Sequence, residues 1–406
     1  MVGLGLGQAV GMDCIVKISS WDRVKIHICS LLWGLWILLK RFLLRLWNAN
    51  YAGSSAEKRG NPPACLLETT FGTHSYVKLK GVKLHYVECG GGRDKPLILL
   101  LHGFPDCWIG WRQQVPVLAS HFRVVALDLK GFGDSDKPLS SRSYQVSSVV
   151  AELRSLITAL GVRSCMIVGH DLGALLGWFL VHCYPDVVTK FVAISCPHPN
   201  VYWSCLPKAS AFNSRWLHLS QLPSLAEMEA LTNDLGIIDQ CYQHLKNRKG
   251  QEAYLDAYKY AFSRRADWTG PINYYRNLPF WRVSEGRGAV NVPTLLLTGN
   301  KDPWVNLESI VKSSDYVEKF LVKMVEGAGH FPHQECPEAV NNLLLSFLVE
   351  KPQVKALQRE SSLGLVNRMF SSTLSYGKEM FDVVQKTTSG VTGFPTRALA
   401  LAQGGS

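Results

Sequence analysis

The chain has 406 residues, 47% of them hydrophobic, enough for one sizeable core and at most a second small domain. Its net charge of +11 belongs to the two ends. Residues 1–60 hold 8 Lys/Arg against 3 Asp/Glu, residues 351–406 hold 7 against 3, and the middle holds 28 against 26. The core therefore carries no basic face for nucleic acid, whereas basic ends beside apolar segments suit an anionic membrane surface.

The first element is "IHICSLLWGLWILLKRFLLRLW", residues 26–47. Fourteen uncharged residues from Ile26 to Leu39 are short for a spanning helix. Extension through Lys40, Arg41 and Arg45 to Trp47 gives twenty-two, with basic side chains able to snorkel at one interface. Basic residues directly after the apolar run favour a retained, single-pass anchor over a cleaved signal peptide. Five Lys/Arg (Lys40, Arg41, Arg45, Lys58, Arg59) follow the uncharged run and three (Lys17, Arg23, Lys25) precede it, which points to the cytosolic side for the folded part. The eleven cysteines show no metal-ligand spacing and read as reduced core thiols, consistent with that side.

A linker at 54–64 closes the first segment (1–60). "YVKLKG" and "VKLHYVEC" predict an antiparallel pair around a glycine turn. Continuous apolar runs at 96–102 and 122–129 predict buried parallel strands. A helix at 146–160 shows Val149, Val150, Leu153, Leu156, Ile157 and Leu160 at helical spacing. Strands at 164–170, 188–195, 293–299 and 320–327 complete a mainly parallel, doubly wound α/β sheet of eight strands. The core thus runs over 61–197 and 291–350, interrupted by a Trp- and Tyr-rich helical stretch at 198–290 that reads as a cap over the strand ends. The tail, 351–406, has the pattern of an amphipathic helix or a poorly ordered end.

Three strand ends carry chemistry. "GHDLG" (169–173) has the G-x-D-x-G spacing of a strand-to-helix turn that exposes a nucleophile, with Asp171 at its centre. "GNKDPW" supplies Asp302 and "GAGHFPHQE" supplies His330. Taken singly, Asp171 is a helix cap, Asp302 a turn residue and His330 a structural histidine. Together and in this order they form a nucleophile–acid–histidine set. In "LLHGFPD" the Phe104 backbone N–H, with that of Leu172, forms an oxyanion hole, and His102 supports the turn. A carboxylate is a poor nucleophile toward amides and esters but opens an electrophilic sp³ carbon, giving an alkyl ester of the enzyme. Epoxides and alkyl halides are the two obvious substrates. Tyr275, in "WTGPINYYRN", offers a phenolic donor to an epoxide oxygen, and Leu172 offers a halide no side-chain donor.

"LLHGFPDCWIGWRQQ", "ALDLKGFGDSDKP", "GHDLGA", "CPHPNV", "GPINYYRN" and "GAGHFPHQECPE" resemble the epoxide hydrolases of the α/β-hydrolase superfamily. "NPPACLLETTFGTHSYVKLKGVKLHYV" is similar to the membrane-anchored animal branch, types 3 and 4, type 4 most of all. The resemblance spans about residues 60–350. It implies Asp171 as nucleophile, Asp302 and His330 as the hydrolytic pair, Tyr275 as one of two cap tyrosines, and Trp108 at the substrate. It also implies a lipophilic epoxide as substrate, no cofactor or metal, and an endoplasmic-reticulum membrane, with lumenal members in this branch. Three positions depart from the pattern: Leu172 stands where tryptophan is usual, Ala174 where a second glycine follows Gly173, and Trp216 where the second cap tyrosine is expected. These departures keep open a pseudoenzyme that binds an apolar ligand, with a haloalkane dehalogenase as a weaker reading.

Overall fold

The computed structural model describes residues 12–47, 56–57, 59–92, 94–205 and 217–349. The tail and Trp216 lie outside them. An eight-stranded sheet carries the core. Its strands are β2 (Thr73–Leu79), β3 (Val82–Cys89), β4 (Leu97–Leu101), β5 (Arg123–Leu127), β6 (Cys165–His170), β7 (Val188–Ile194), β9 (Thr294–Gly299) and β10 (Phe320–Val325). Their spatial order is β10-β9-β7-β6-β4-β5-β3-β2, parallel except where β3 meets β2 and β5. Every residue of β4, "LILLL", is buried, as a central parallel strand covered on both faces requires. The sequence reading of these eight strands holds.

Helices cover both faces. They are α2 (Val115–Ala119), α3 (Val146–Ala159), α4 (Leu172–Cys183), α11 (Leu307–Ser313), α12 (Pro332–Glu335) and α13 (Pro337–Val349). Val149, Val150, Leu153, Leu156, Ile157 and Leu160 are all buried, so the 3.6-residue periodicity correctly located the inner face of α3. All twelve residues of α4 are buried, which is why that helix has no amphipathic pattern to read. Between β7 and β9 lie α5 (Pro199–Tyr202), α6 (Leu225–Ala230), α7 (Gly236–Cys241), α8 (Gln243–Lys246), α9 (Glu252–Ala261), α10 (Arg265–Tyr275) and a short strand, β8 (Trp281–Val283). Tyr242 Oη donates to Pro105 O at 2.7 Å and Tyr274 Oη to Lys130 O at 3.0 Å, fixing this helical insertion over the loops that leave β4 and β5.

Two features of the N-terminal region were not read from the sequence. Ile15–Lys17 forms β1, which pairs antiparallel with β8. Cys14 is disulfide-bonded to Cys183 at the end of α4, 169 positions away, while the other nine cysteines are free. This corrects the expectation of reduced thiols throughout: partners so far apart leave no local spacing, and the β1–β8 pairing brings them together. The apolar segment is a single helix, α1 (Ser20–Trp47), starting six residues before Ile26 because Ser19 Oγ caps it through Asp22 N at 3.0 Å.

The turn from β6 into α4 depends on small residues. A Cβ on Gly173 would lie 2.2 Å from Leu101 O, a backbone atom of the neighbouring strand that has nowhere to go. Gly173→Ala is therefore expected to cost at least about 1–3 kcal/mol, read as a lowered Tm in thermal denaturation. An unchanged Tm contradicts this packing.

Candidate active site

Asp171 sits between β6 and α4 with φ 44° and ψ −111°. A positive φ is rare for a side-chain-bearing residue and strains the backbone by about 1–3 kcal/mol. It lifts the carboxylate out of the strand and aims it at the loops from the neighbouring strand ends.

Those loops bring the other predicted residues to it. His330 Nε2 is 3.7 Å from Asp171 Oδ1, and its Nδ1 is 2.9 Å from Asp302 Oδ2. Asp302 is itself fixed, accepting from Trp304 N at 2.8 Å and Thr298 Oγ1 at 3.4 Å. The Phe104 N–H donates to Asp171 Oδ2 at 3.2 Å. Tyr275 Oη, from the last turn of α10, donates to the same oxygen at 3.5 Å. The Leu172 N–H also stabilises the carboxylate, while the Leu172 side chain is buried. The rings of Phe104 and Tyr275 lie 5.2 Å apart, and Trp304 meets His330 edge-on at 4.0 Å, so apolar surface surrounds the polar cluster.

The charges follow from these contacts. Burial pushes the Asp171 carboxyl up, but the hydrogen bond and charge of His330 outweigh it and hold it below the usual range. Burial opposes the His330 imidazolium, yet the Asp302 charge and the hydrogen bonds to both carboxylates raise it to about 9. Burial, then the Asp171 charge, keeps the Tyr275 phenol well above its ordinary value, hence protonated.

Two further predicted residues lie in the loops around this cluster. His102 supports the turn as expected, with Nδ1 2.8 Å from Gly103 O and Nε2 accepting from Leu129 N at 3.1 Å. Trp108, expected at the substrate, packs edge-on against His74 at 5.1 Å and donates its backbone N–H to Asp128 at 2.9 Å. Asp128 also meets His85 Nδ1 at 2.8 Å, so Trp108 belongs to a network that holds the loop after β5. The order of residues in "HGFPDCW" could not reveal this, because His74 and His85 come from other strands.

Asp106, His170 and His333 place their ligand atoms within 4.8 Å of one another, all buried. They are the described residues able to converge on a metal ion. Burial raises Asp106 to about 7 and lowers His170 to about 3, so the imidazole of His170 is neutral. His170 Nε2 donates to His330 O at 2.9 Å, which ties this buried layer to the backbone of the histidine in front of it.

A model of the alpha/beta hydrolase family matches residues 98–343. Epoxide hydrolase 4 of Mus musculus is 36% identical over 320 residues, 75% of this chain and 89% of that protein. The chain belongs to the alpha/beta hydrolase family, in its epoxide hydrolase branch. Epoxide hydrolase 3 of Xenopus tropicalis is 35% identical over 300 residues, 71% of this chain and 81% of that protein. Among solved structures, an epoxide hydrolase of Bacillus megaterium in complex with an inhibitor is similar with a TM-score of 0.60 and 29% identity, covering 68% of this chain and all of that one.

Because the Asp302 charge is the largest influence raising His330, Asp302→Asn is expected to move the His330 titration to lower pH. Histidine NMR across a pH series checks this. A His330 midpoint that stays in place excludes the coupling.

Proposed function

We propose that the chain hydrolyses lipophilic epoxides to diols through an ester on Asp171. The observation that carries this reading is one carboxylate contacted by three different groups: His330 on one oxygen, Phe104 N–H and Tyr275 Oη on the other. An Asp171 oxygen attacks an epoxide carbon, a C–O bond of the ring breaks, and the Tyr275 phenol donates to the oxygen as negative charge develops. The product is an alkyl ester of Asp171 with a free alcohol.

Ester formation removes the Asp171 charge that helps hold a proton on His330. The imidazole then releases that proton, which makes good the one Tyr275 gave to the ring oxygen, and serves as base for the second step. Its Nε2 takes a proton from water, the water oxygen attacks the Asp171 carbonyl carbon, and Phe104 and Leu172 N–H groups stabilise the oxyanion. Collapse expels the diol and restores the carboxylate. Asp302 holds Nδ1 and stabilises the imidazolium throughout.

The apolar rings around Asp171 support a lipophilic substrate. Helix α1 is long and apolar enough to cross a membrane and supports attachment to one, with the endoplasmic reticulum as the proposed site. The Cys14–Cys183 disulfide supports the lumenal side, since such bonds persist in oxidising compartments.

His330→Gln is expected to form the ester and stall, so intact mass rises by one substrate after incubation with a fatty-acid epoxide. Asp171→Ala is expected to give neither adduct nor diol, and Tyr275→Phe to slow ring opening by about 10²–10³-fold. Diol formation by Asp171→Ala at the wild-type rate overturns the mechanism.

A further inference from the structure

Helix α1 is 28 residues long, about 42 Å at 1.5 Å per residue. Its less exposed positions are Arg23, Ile26, Ser30, Gly34, Ile37, Arg41 and Leu44. Their spacing of three or four residues makes one continuous stripe along almost the whole helix. That stripe faces the helical insertion between β7 and β9. The His27 ring lies 5.4 Å from Phe280, and Ser30 Oγ lies 3.5 Å from His218 Nδ1. Gly34 is seated so closely that a Cβ there would be 2.8 Å from Leu222 Cδ1. Arg41 forms an ion pair with Glu229.

Both ends of α1 are tethered to the same body. Before it, the Cys14–Cys183 disulfide, the β1–β8 pairing and the Ile18 N–H donating to Phe280 O at 3.0 Å hold the chain. After it, Glu57 N donates to Asp234 Oδ1 at 2.9 Å and Arg59 pairs with the same carboxylate at 2.7 Å. A helix that crosses a bilayer puts its ends on opposite sides of about 30 Å of hydrocarbon, about 40–45 Å with headgroups. Nine residue steps from Trp47 to Ala56 reach at most about 32 Å even fully extended, short of the roughly 40–45 Å of a whole bilayer. A span would therefore break one of the two tethers and strip the stripe of its contacts.

The outward face is apolar except for Lys25 near its start, whose ammonium lies over the Trp21 ring. Trp21, Ile28, Leu32, Leu35, Leu39, Phe42, Leu43 and Leu46 are between 48% and 68% exposed. Helical geometry at 100° per residue puts Leu32, Leu39 and Leu46 on one line opposite the buried stripe. The same geometry puts Lys40 and Arg45 on the two flanks of that line, where their charges meet anionic headgroups. Trp21 and Trp47 stand at the two ends, both exposed, as aromatic anchors at headgroup depth do. An apolar surface of this length flanked by cations is matched by one leaflet of a phospholipid bilayer.

We propose that α1 lies in the plane of the membrane, sunk into one leaflet by its outward face, and does not span it. Residues 12–18 and the catalytic body then share one side, and the helical insertion over Asp171 faces the lipid. This rests on the membrane-attachment reading above and is independent of the catalytic one.

The test uses the full chain in phosphatidylcholine–phosphatidylserine vesicles. A fluorescent amino acid replaces Leu32, Leu39 or Leu46, one at a time, with folding checked by circular dichroism. Quenching is measured with lipids brominated near the headgroup or near the chain end. An in-plane helix gives all three probes the same ratio, with the shallow bromines quenching most. A span spreads positions 32, 39 and 46 over about 21 Å of depth, with 32 and 39 near the bilayer centre and 46 near one surface, so quenching of 32 and 39 mainly by the deep bromines, with 46 quenched mainly by the shallow ones, overturns the proposal. Quenching at no depth overturns membrane attachment itself, and a chemically cross-linked dimer in that case assigns the face to a second copy of the chain.

Discussion

The left-handed backbone at Asp171 is the constraint on which the site depends. A non-glycine residue at φ 44° persists only where its surroundings leave no alternative. Here β6 enters the turn fully paired between β4 and β7, and the Asp171 N–H still donates to Ile194 O at 3.0 Å. On the far side α4 begins at once, with every residue buried. Between them the chain passes so close to its neighbours that a Cβ on Gly169 would fall 2.6 Å from Ala174 N, and one on Gly173 2.2 Å from Leu101 O. The tight turn therefore needs a strand, a helix and two missing side chains at once. The reward is a carboxylate raised above the sheet with backbone N–H donors already aimed at it.

The electrostatics extend that geometry. A carboxylate and an imidazole buried together each stabilise the other's charge, so Asp171 is held ionised and His330 protonated in the resting state. Behind them, burial depresses His170 and His333, which leaves two neutral imidazoles under the pair. Charge is thus concentrated where bonds are made, and Asp302 remains as the counterion when the Asp171 charge disappears. Leu172 changes nothing in this arrangement that depends on the backbone, because its N–H does the work and its side chain is in the core.

Helix α1 illustrates a different kind of limit. Composition makes it apolar and flanked by cations, and both a spanning and an in-plane helix fit that description. The choice rests on the stripe from Arg23 to Leu44 and on tethers at both ends, which involve Cys183, Phe280, His218, Glu229 and Asp234. All of these lie far along the chain from α1.

The sequence by itself determined the strands, the inner face of α3, the elbow at Asp171 and the chain order of Asp171, Asp302 and His330. Each of these is written in local terms: apolar runs of strand length, a 3.6-residue period, or a short motif at a strand end. Tertiary structure alone decided the Cys14–Cys183 bond, the β1–β8 pairing, the place of Trp108 beside His74 and Asp128, and the seat of α1. These are contacts between segments tens to hundreds of residues apart. No periodicity or spacing within either segment encodes its partner, so only the folded chain, which brings the two into register, could fix them.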